Sequence, residues 1–361
     1  MKLLLLDQFS SLGGAQQCLR DLVPAFVERD WEVHAALPPG GPLGQQMFDR
    51  GLSTLHPLPL SGYSSGRKTL FEGLRFAIET VKMAGLIHDL VKRLNIDCVY
   101  VNGPRVLPAA SFCGRKVVFH SHSLLPRALA KILGQRILSN KKCHFISSSR
   151  FVRAPYEGWL DSNRSRLIYN GVEDLSGPMT ASAKFRVGIV GRIAPEKGTL
   201  DFIAAAKRLL PLLPNAEFIV CGSPLFGEDS YAAQVHKEAD SLPVEFTGWT
   251  NNVASMFRNL DILAVPSTAI DATPRVIPEA FSTGLPVVAY PSGGLPELVE
   301  HGRTGLITAA PDAAALAAGI EQLHNDSNLR NRLARNARQE YEARFTLNRF
   351  RQEVTDFLAG I

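Results

Sequence analysis

Short apolar runs alternate with longer amphipathic stretches from one end of the chain to the other. A short apolar run bounded by turn residues reads as a buried strand, and apolar positions recurring every three to four residues read as a helix. In the first half the pattern predicts strands over 2–7, 32–37, 54–58, 98–102, 116–120, 144–147 and 166–169. Amphipathic helices are predicted between them, the longest over 15–29 and 69–94. The second half repeats the arrangement, with strands predicted over 186–190, 217–221, 244–247, 262–265, 287–290 and 306–308. Such alternation is that of parallel sheets wound with crossover helices. The expected fold class is therefore α/β, with doubly wound, Rossmann-like domains.

Length sharpens this into two domains, because a single core stops growing near ~250–300 residues and the chain has 361. Residues 171–184 are polar, rich in small side chains and aperiodic, and they separate two βα series of similar length. The expected division is a first domain over 1–170, a linker over 171–184 and a second domain over 185–344. A last helix over 345–361 is expected to cross back onto the first domain. Two doubly wound domains facing a central cleft bind ligand at the carboxyl ends of their strands.

Composition narrows the class further. Hydrophobic residues at 45% and charged residues at 20% exclude a disordered or fibrous chain. The net charge of +5 is too small for a dedicated nucleic-acid binder, yet suits a protein that handles phosphate or visits an anionic membrane. Five scattered cysteines, never in CxxC spacing, read as reduced packing residues and not as metal ligands. The opening apolar run is too short for a secretory signal, and no stretch reaches the ~18 apolar residues of a membrane span. A cytoplasmic location is expected.

Four segments carry candidate chemistry. In DATPRVIPEAFSTGLPVVA (271–289) a helix is expected to begin near Thr273 and Pro274, leaving the N–H groups of Arg275, Val276 and Ile277 at an anion-binding helix start. Asp271 and Glu279 flank that start, and carboxylates accept hydrogen bonds well from sugar hydroxyls. In GIVGRIAPEKG (188–198) Arg192 and Lys197 follow a strand and can meet phosphate, Arg as a fork and Lys as a point charge. Gly13 and Gly14 follow the first strand, where the backbone can approach a ligand closely. In VVFHSHS (117–123) His120 and His122 share one face at a strand end. Each segment also fits a plainer reading, as solvated charge, turn chemistry or a structural histidine. Neither GxxxxGK[ST] nor GxGxxG occurs, which argues against a P-loop and a nicotinamide dehydrogenase.

Taken together and in order, these segments resemble the GT-B nucleotide-sugar glycosyltransferases, specifically glycosyltransferase family 4. The resemblance extends through GGAQ, FHSHS, YNGVE, GRIAPEKG, VEFTGW and the block from Asp271 to GRTGL. It implies transfer of a sugar, with retention of configuration and without a metal or other cofactor, from a nucleotide-sugar to a glycan, glycolipid or small-molecule acceptor. UDP is the expected nucleotide. Arg192 and Lys197 are then expected to neutralise the diphosphate, Glu279 to hold the ribose and Asp271 the donor sugar. Thr247 and Gly248 are expected near the base, with Gly222 lining the pocket. The family's E-x7-E motif falls on Asp271 and Glu279, the first acid being one methylene shorter here. Of the histidines the resemblance favours His120, with His122 as the alternative. A nucleotide-sugar epimerase or hydrolase, or a non-catalytic sugar-nucleotide binder, also fits the fold.

Residues 124–142 (LLPRALAKILGQRILSNKK) interleave Arg127, Lys131, Arg136, Lys141 and Lys142 with leucine and isoleucine at helical intervals. A basic amphipathic helix of this kind can lie on an anionic membrane, although the same stripe also suits packing on the sheet.

Overall fold

A computed structural model describes residues 1–61, 70–125, 127–133, 137–178, 184–225, 228–250, 252–268 and 271–361. The chain forms two compact units, one of residues 1–170 and 348–361, the other of residues 171–347.

The first unit holds strands β1 (Lys2–Leu6), β2 (Glu32–Leu37), β3 (Thr54–Pro57), β4 (Cys98–Val101), β5 (Lys116–Ser121), β6 (Cys143–Ser147) and β7 (Ser165–Leu167). They pair in parallel in the order β3-β2-β1-β4-β5-β6-β7. The second unit holds β8 (Phe185–Val190), β9 (Ala216–Cys221), β10 (Val244–Gly248), β11 (Ile262–Val265), β12 (Val287–Ala289) and β13 (Gly305–Ile307), in the order β10-β9-β8-β11-β12-β13. Each predicted strand is found to within a residue or two. Their continuous apolar runs reflect position: β4, β6 and β11 are buried along their whole length, whereas the edge strands β3 and β10 alternate with solvent. In both sheets the strand order reverses direction beside the first strand, at β1/β4 and β8/β11. That switch point opens a crevice at the carboxyl ends.

Helices Gly14–Val27 and Leu70–Arg93 stand where periodicity places them. Of the stretch 171–184, the part over 171–178 is held to the second unit. Val172 donates to the Phe345 carbonyl at 2.9 Å, and Asp174 pairs with Arg338 at 2.7 Å. Residues 179–183 lie outside the described residues. The last helix, Leu347–Ala359, packs in the first unit, where Arg351 donates to the Asp21 carbonyl at 2.7 Å and Arg349 to that of Tyr169 at 2.5 Å.

The segment 124–142 is not one continuous helix. A short helix spans Arg127–Leu133, and Lys141 and Lys142 are exposed beyond it. Arg136 and the side chains of Arg127 and Lys131 lie outside the described residues. Among the described residues no helix is long and apolar enough to cross a membrane.

Candidate active site

In the second unit the candidate residues collect along the carboxyl edge of the sheet. After β8 the chain turns at Gly191, places Arg192, and closes a short 3-10 turn over Pro195–Lys197. This loop is tied to the one after β11: Thr268 donates from its backbone to Glu196 at 3.1 Å and from its hydroxyl to Pro195 at 3.0 Å. The tie brings together two residues that are 74 positions apart in sequence. Lys197 Nζ donates to Asp271 Oδ2 at 2.6 Å, and Ser267 Oγ donates to the same oxygen at 3.0 Å. Arg192 is gripped from two sides, by Glu228 at 2.6 Å and by Glu196. Burial opposes its charge, but these two carboxylates outweigh the loss of hydration and hold the guanidinium still more firmly protonated.

Two glycines make this geometry possible. Gly222, just past β9, has φ +152°, and a Cβ there would come within 1.7 Å of the Gly191 carbonyl oxygen. Gly293, at φ +56°, leaves room for the Asp271 carbonyl, and Gly294 donates to that carbonyl at 2.9 Å. The Gly293–Gly294 turn thus fixes the backbone that carries Asp271. Thr247 and Gly248 sit at the end of β10 on the same edge of the sheet.

The helix after Asp271 differs from expectation. It begins at Val276, not near Thr273–Pro274, with Arg275 as its first flanking residue and no side-chain cap. The residue before a proline is disfavoured in the helical region, and here that residue is Thr273. The Ile277 N–H is already used, donating to the Pro274 carbonyl at 3.3 Å. Glu279 lies one turn on from Arg275, with Arg275 Nε 3.5 Å from Glu279 Oε1, and Arg275 also reaches the Gly171 carbonyl at 3.3 Å.

In the first unit Gly13 caps the helix Gly14–Val27 beside the end of β1. Here the structure separates the two histidines by their burial. His120 is fully buried, its Nδ1 bonded to the Tyr100 hydroxyl at 2.5 Å, with the rings of His122 and Phe350 at 3.9 and 6.1 Å. His120 thus presents no atom to solvent in this structure. Loss of hydration, with His122 adding to it, holds the His120 imidazole well below its ordinary pKa and therefore uncharged. His122 is only half-buried, so it is the histidine of this pair that reaches the surface. Its Nε2 lies 3.0 Å from Asn102 Oδ1, and Asn102 in turn donates to buried Asp7 at 2.5 Å. Burial lifts the Asp7 carboxyl to about 6, against the pull of hydrogen bonds from Asn102, Phe9 and Gln16.

Comparison with known proteins identifies the family and the fold. The sequence model of "Glycosyltransferase Family 4" matches residues 12–174, and that of "Glycosyl transferases group 1" matches residues 180–340. The chain is a family 4 glycosyltransferase with the GT-B fold. Among curated relatives of this glycosyltransferase is "Putative glycosyltransferase YtcC" of Bacillus subtilis (strain 168), 25% identical over 92% of this chain and 84% of that one. "Capsular polysaccharide biosynthesis glycosyltransferase CapM" of Staphylococcus aureus is 26% identical over 66% of this chain and 59% of its own. Among solved structures, Anabaena Alr3699/HepE in complex with UDP superimposes with a TM-score of 0.82 at 25% identity, covering all of both chains.

Three parts of the candidate site have no counterpart among the residues expected from sequence. Glu196 and Glu228 were not foreseen as partners of Arg192, nor Ser267 as a second donor to Asp271, nor Asp7 and Asn102 as the support of His122. Only the last left a signal, since Asp7 and Asn102 both end predicted apolar strands with a polar side chain.

Proposed function

We propose that this glycosyltransferase moves a sugar from a nucleotide-sugar, with UDP as the nucleotide, to a glycan, glycolipid or small-molecule acceptor in the cytoplasm. The observation that carries the reading is the ion pair of Lys197 with Asp271, set beside Arg192 at the carboxyl edge of the second sheet. A donor diphosphate takes the place of carboxylate on these cations: Lys197 turns from Asp271 to phosphate oxygen, and Arg192 adds its fork. Asp271, released, accepts hydrogen bonds from hydroxyls of the donor sugar. Glu279 accepts those of the ribose, while Thr247, Gly248 and Gly222 line the place of the base.

Transfer proceeds with retention. The bond from the anomeric carbon to the diphosphate breaks, and the acceptor oxygen bonds to that carbon from the same face. The acceptor's proton passes to the departing phosphate oxygen, so no protein base is needed. The charge gathering on the diphosphate is met by Lys197 and Arg192, without a metal. HepE, solved in complex with UDP, supports the choice of nucleotide.

A thermal-shift panel of nucleoside diphosphates and nucleotide-sugars tests the reading. A ligand at 100 times its Kd stabilises by ~2.7 kcal/mol, so UDP and a UDP-sugar should raise the melting temperature. No response to any nucleotide in the panel overturns it.

We also propose a peripheral membrane contact through the first unit. The helix Leu70–Arg93 exposes Phe71, Leu74, Ile78 and Val81 at helical spacing, and the helix Arg127–Leu133 exposes Leu129 and Ile132. Such apolar faces, with exposed Lys82, Lys141 and Lys142, suit an anionic lipid surface.

A further inference from the structure

The loop after β11 carries one buried polar side chain that neither pattern nor motif singled out. Ser267 is 1% exposed, and its hydroxyl donates to Asp271 Oδ2 at 3.0 Å. A carboxylate oxygen accepts, so the hydroxyl hydrogen is committed to this contact. The serine is placed by its backbone and not by the ion pair beside it. The carbonyl oxygen of Pro266, the residue before it, lies where a Cβ on Gly198 would come within 1.8 Å, and Gly198 has φ +71°. Thr268, the residue after it, donates to Glu196 from its N–H at 3.1 Å and to Pro195 from its hydroxyl at 3.0 Å. Both neighbours of Ser267 are thus pinned to the loop that bears Lys197.

Lys197 and Ser267 meet the same carboxylate oxygen, but they differ in what can take them from it. Lys197 ends a flexible four-carbon stem in a charge, so a diphosphate can draw it away. The serine hydroxyl is uncharged, sits directly on Cβ and cannot follow an anion. When Lys197 leaves, Oδ2 therefore keeps one donor, and the carboxylate keeps its orientation. Among the described residues no other group donates to the Asp271 side chain, which is 15% exposed. With Oδ2 held from behind, Oδ1 is the oxygen offered to a ligand.

We infer that Ser267 is a positioning residue for the donor sugar: it holds Asp271 by Oδ2 once Lys197 has turned to the diphosphate, so that Oδ1 accepts a hydrogen bond from a sugar hydroxyl. The inference rests on the function proposed above and names a residue which that reading does not use.

Calorimetry on the full-length protein tests it, with UDP and with the tightest-binding of UDP-glucose, UDP-galactose, UDP-glucuronate and UDP-N-acetylglucosamine. The quantity followed is the ratio of the two dissociation constants, which isolates the sugar's share of binding. Ser267→Ala should shift that ratio about 5-fold against the UDP-sugar, the scale of one hydrogen bond, with affinity for UDP held within about 2-fold. A merely structural role would weaken both ligands alike. In the Asp271→Ala background, adding Ser267→Ala should leave the ratio where Asp271→Ala alone puts it, because the serine then has nothing to hold. A native ratio in folded Ser267→Ala, an equal loss for UDP and UDP-sugar, or a full further shift in the double variant overturns the inference. Should Ser267→Ala not fold, Ser267→Cys, whose thiol is a weak donor, is read by the same ratio and judged by the same outcomes. If the native protein binds neither UDP nor any of the four UDP-sugars, it is the proposed function that fails. If it binds them and the ratio ignores Ser267, the positioning role alone falls.

Discussion

Replacing Lys197 by alanine separates the structural from the chemical use of one charge. Lys197 and Asp271 meet at 2.6 Å with their side chains 26% and 15% exposed. At an effective dielectric near ~20 two charges so close attract by ~6 kcal/mol, but most of that is offset by the cost of stripping water from both. The pair lies between exposed pairs, worth ~0–1 kcal/mol, and buried ones, whose breaking costs ~3–5 kcal/mol. Lys197→Ala should therefore destabilise the second unit by about 1–3 kcal/mol. Ser267 remains to donate to Asp271 and limits the loss. On the proposed function the effect on transfer should be larger in kind, because the cation then stands where negative charge gathers. Removing one such donor costs about 10²–10³ in kcat. Release of nucleoside diphosphate, followed with saturating donor, measures the rate, and urea unfolding measures stability. A folded Lys197→Ala enzyme working within a few-fold of the native rate would refute the assignment of Lys197 to the diphosphate. Arg192→Ala should behave in the same way, since Glu196 and Glu228 hold that guanidinium in place.

Glu279→Ala should weaken binding of UDP itself, whereas Asp271→Ala should weaken mainly the sugar-bearing donor; calorimetry giving equal losses for both ligands in both variants rejects that division. Transfer should survive excess EDTA, and its loss with recovery on adding Mg²⁺ or Mn²⁺ would show that the cations do not suffice. Sedimentation with lipid vesicles should rise with anionic lipid content and vanish at high salt, and no pelleting at low salt dismisses the membrane contact. Acid should destabilise the first unit through His120. A base whose pKa is lowered by folding adds stability that is complete above its ordinary value near 6.5 and lost as pH falls toward the folded value. The slope of that loss is about 1.4 kcal/mol per pH unit. His120→Gln should reduce the pH dependence of urea unfolding by about one proton below pH 6.5, and an unchanged slope refutes the account.

The sheets were legible because parallel strands are buried on both faces and so read as unbroken apolar runs, as in LLLL of β1 and CVYV of β4. Most candidate positions followed from one rule, that ligands meet such sheets at their carboxyl ends, and from motif resemblance. What pattern could not supply was pairing across long sequence separations. Nothing local to Arg192 announces Glu228, 36 positions on. Burial of side chains on the same strand face was hidden too. Alternation puts His120 and His122 together, but only the packing of Tyr100 and Phe350 shows that one is sealed and the other reaches the surface. The helix starts two residues after Pro274, and no side-chain cap marks it: the flanking residue is Arg275, whose side chain reaches Gly171 and Glu279.

The order of the first six strands and the switch point are the same in the two sheets, yet their carboxyl edges carry opposite chemistry. In the second unit the edge bears Arg192 and Lys197, each held by carboxylate partners. Cations kept in place by partners of opposite charge are pre-set for a ligand of that charge, because a diphosphate replaces one set of anionic oxygens with another and the cations need not move far. In the first unit the edge is built from neutral imidazole, amide and phenol groups, with a single buried carboxylate behind them. Such groups neither attract nor repel phosphate strongly, but each offers a directed donor or acceptor. Direction is what distinguishes one uncharged hydroxyl from another. On the proposed function both are needed, since a nucleotide-sugar is an anion and the group it gives up is a polyol. The same doubly wound sheet thus carries fixed charge at its edge in one unit and directed neutral dipoles in the other.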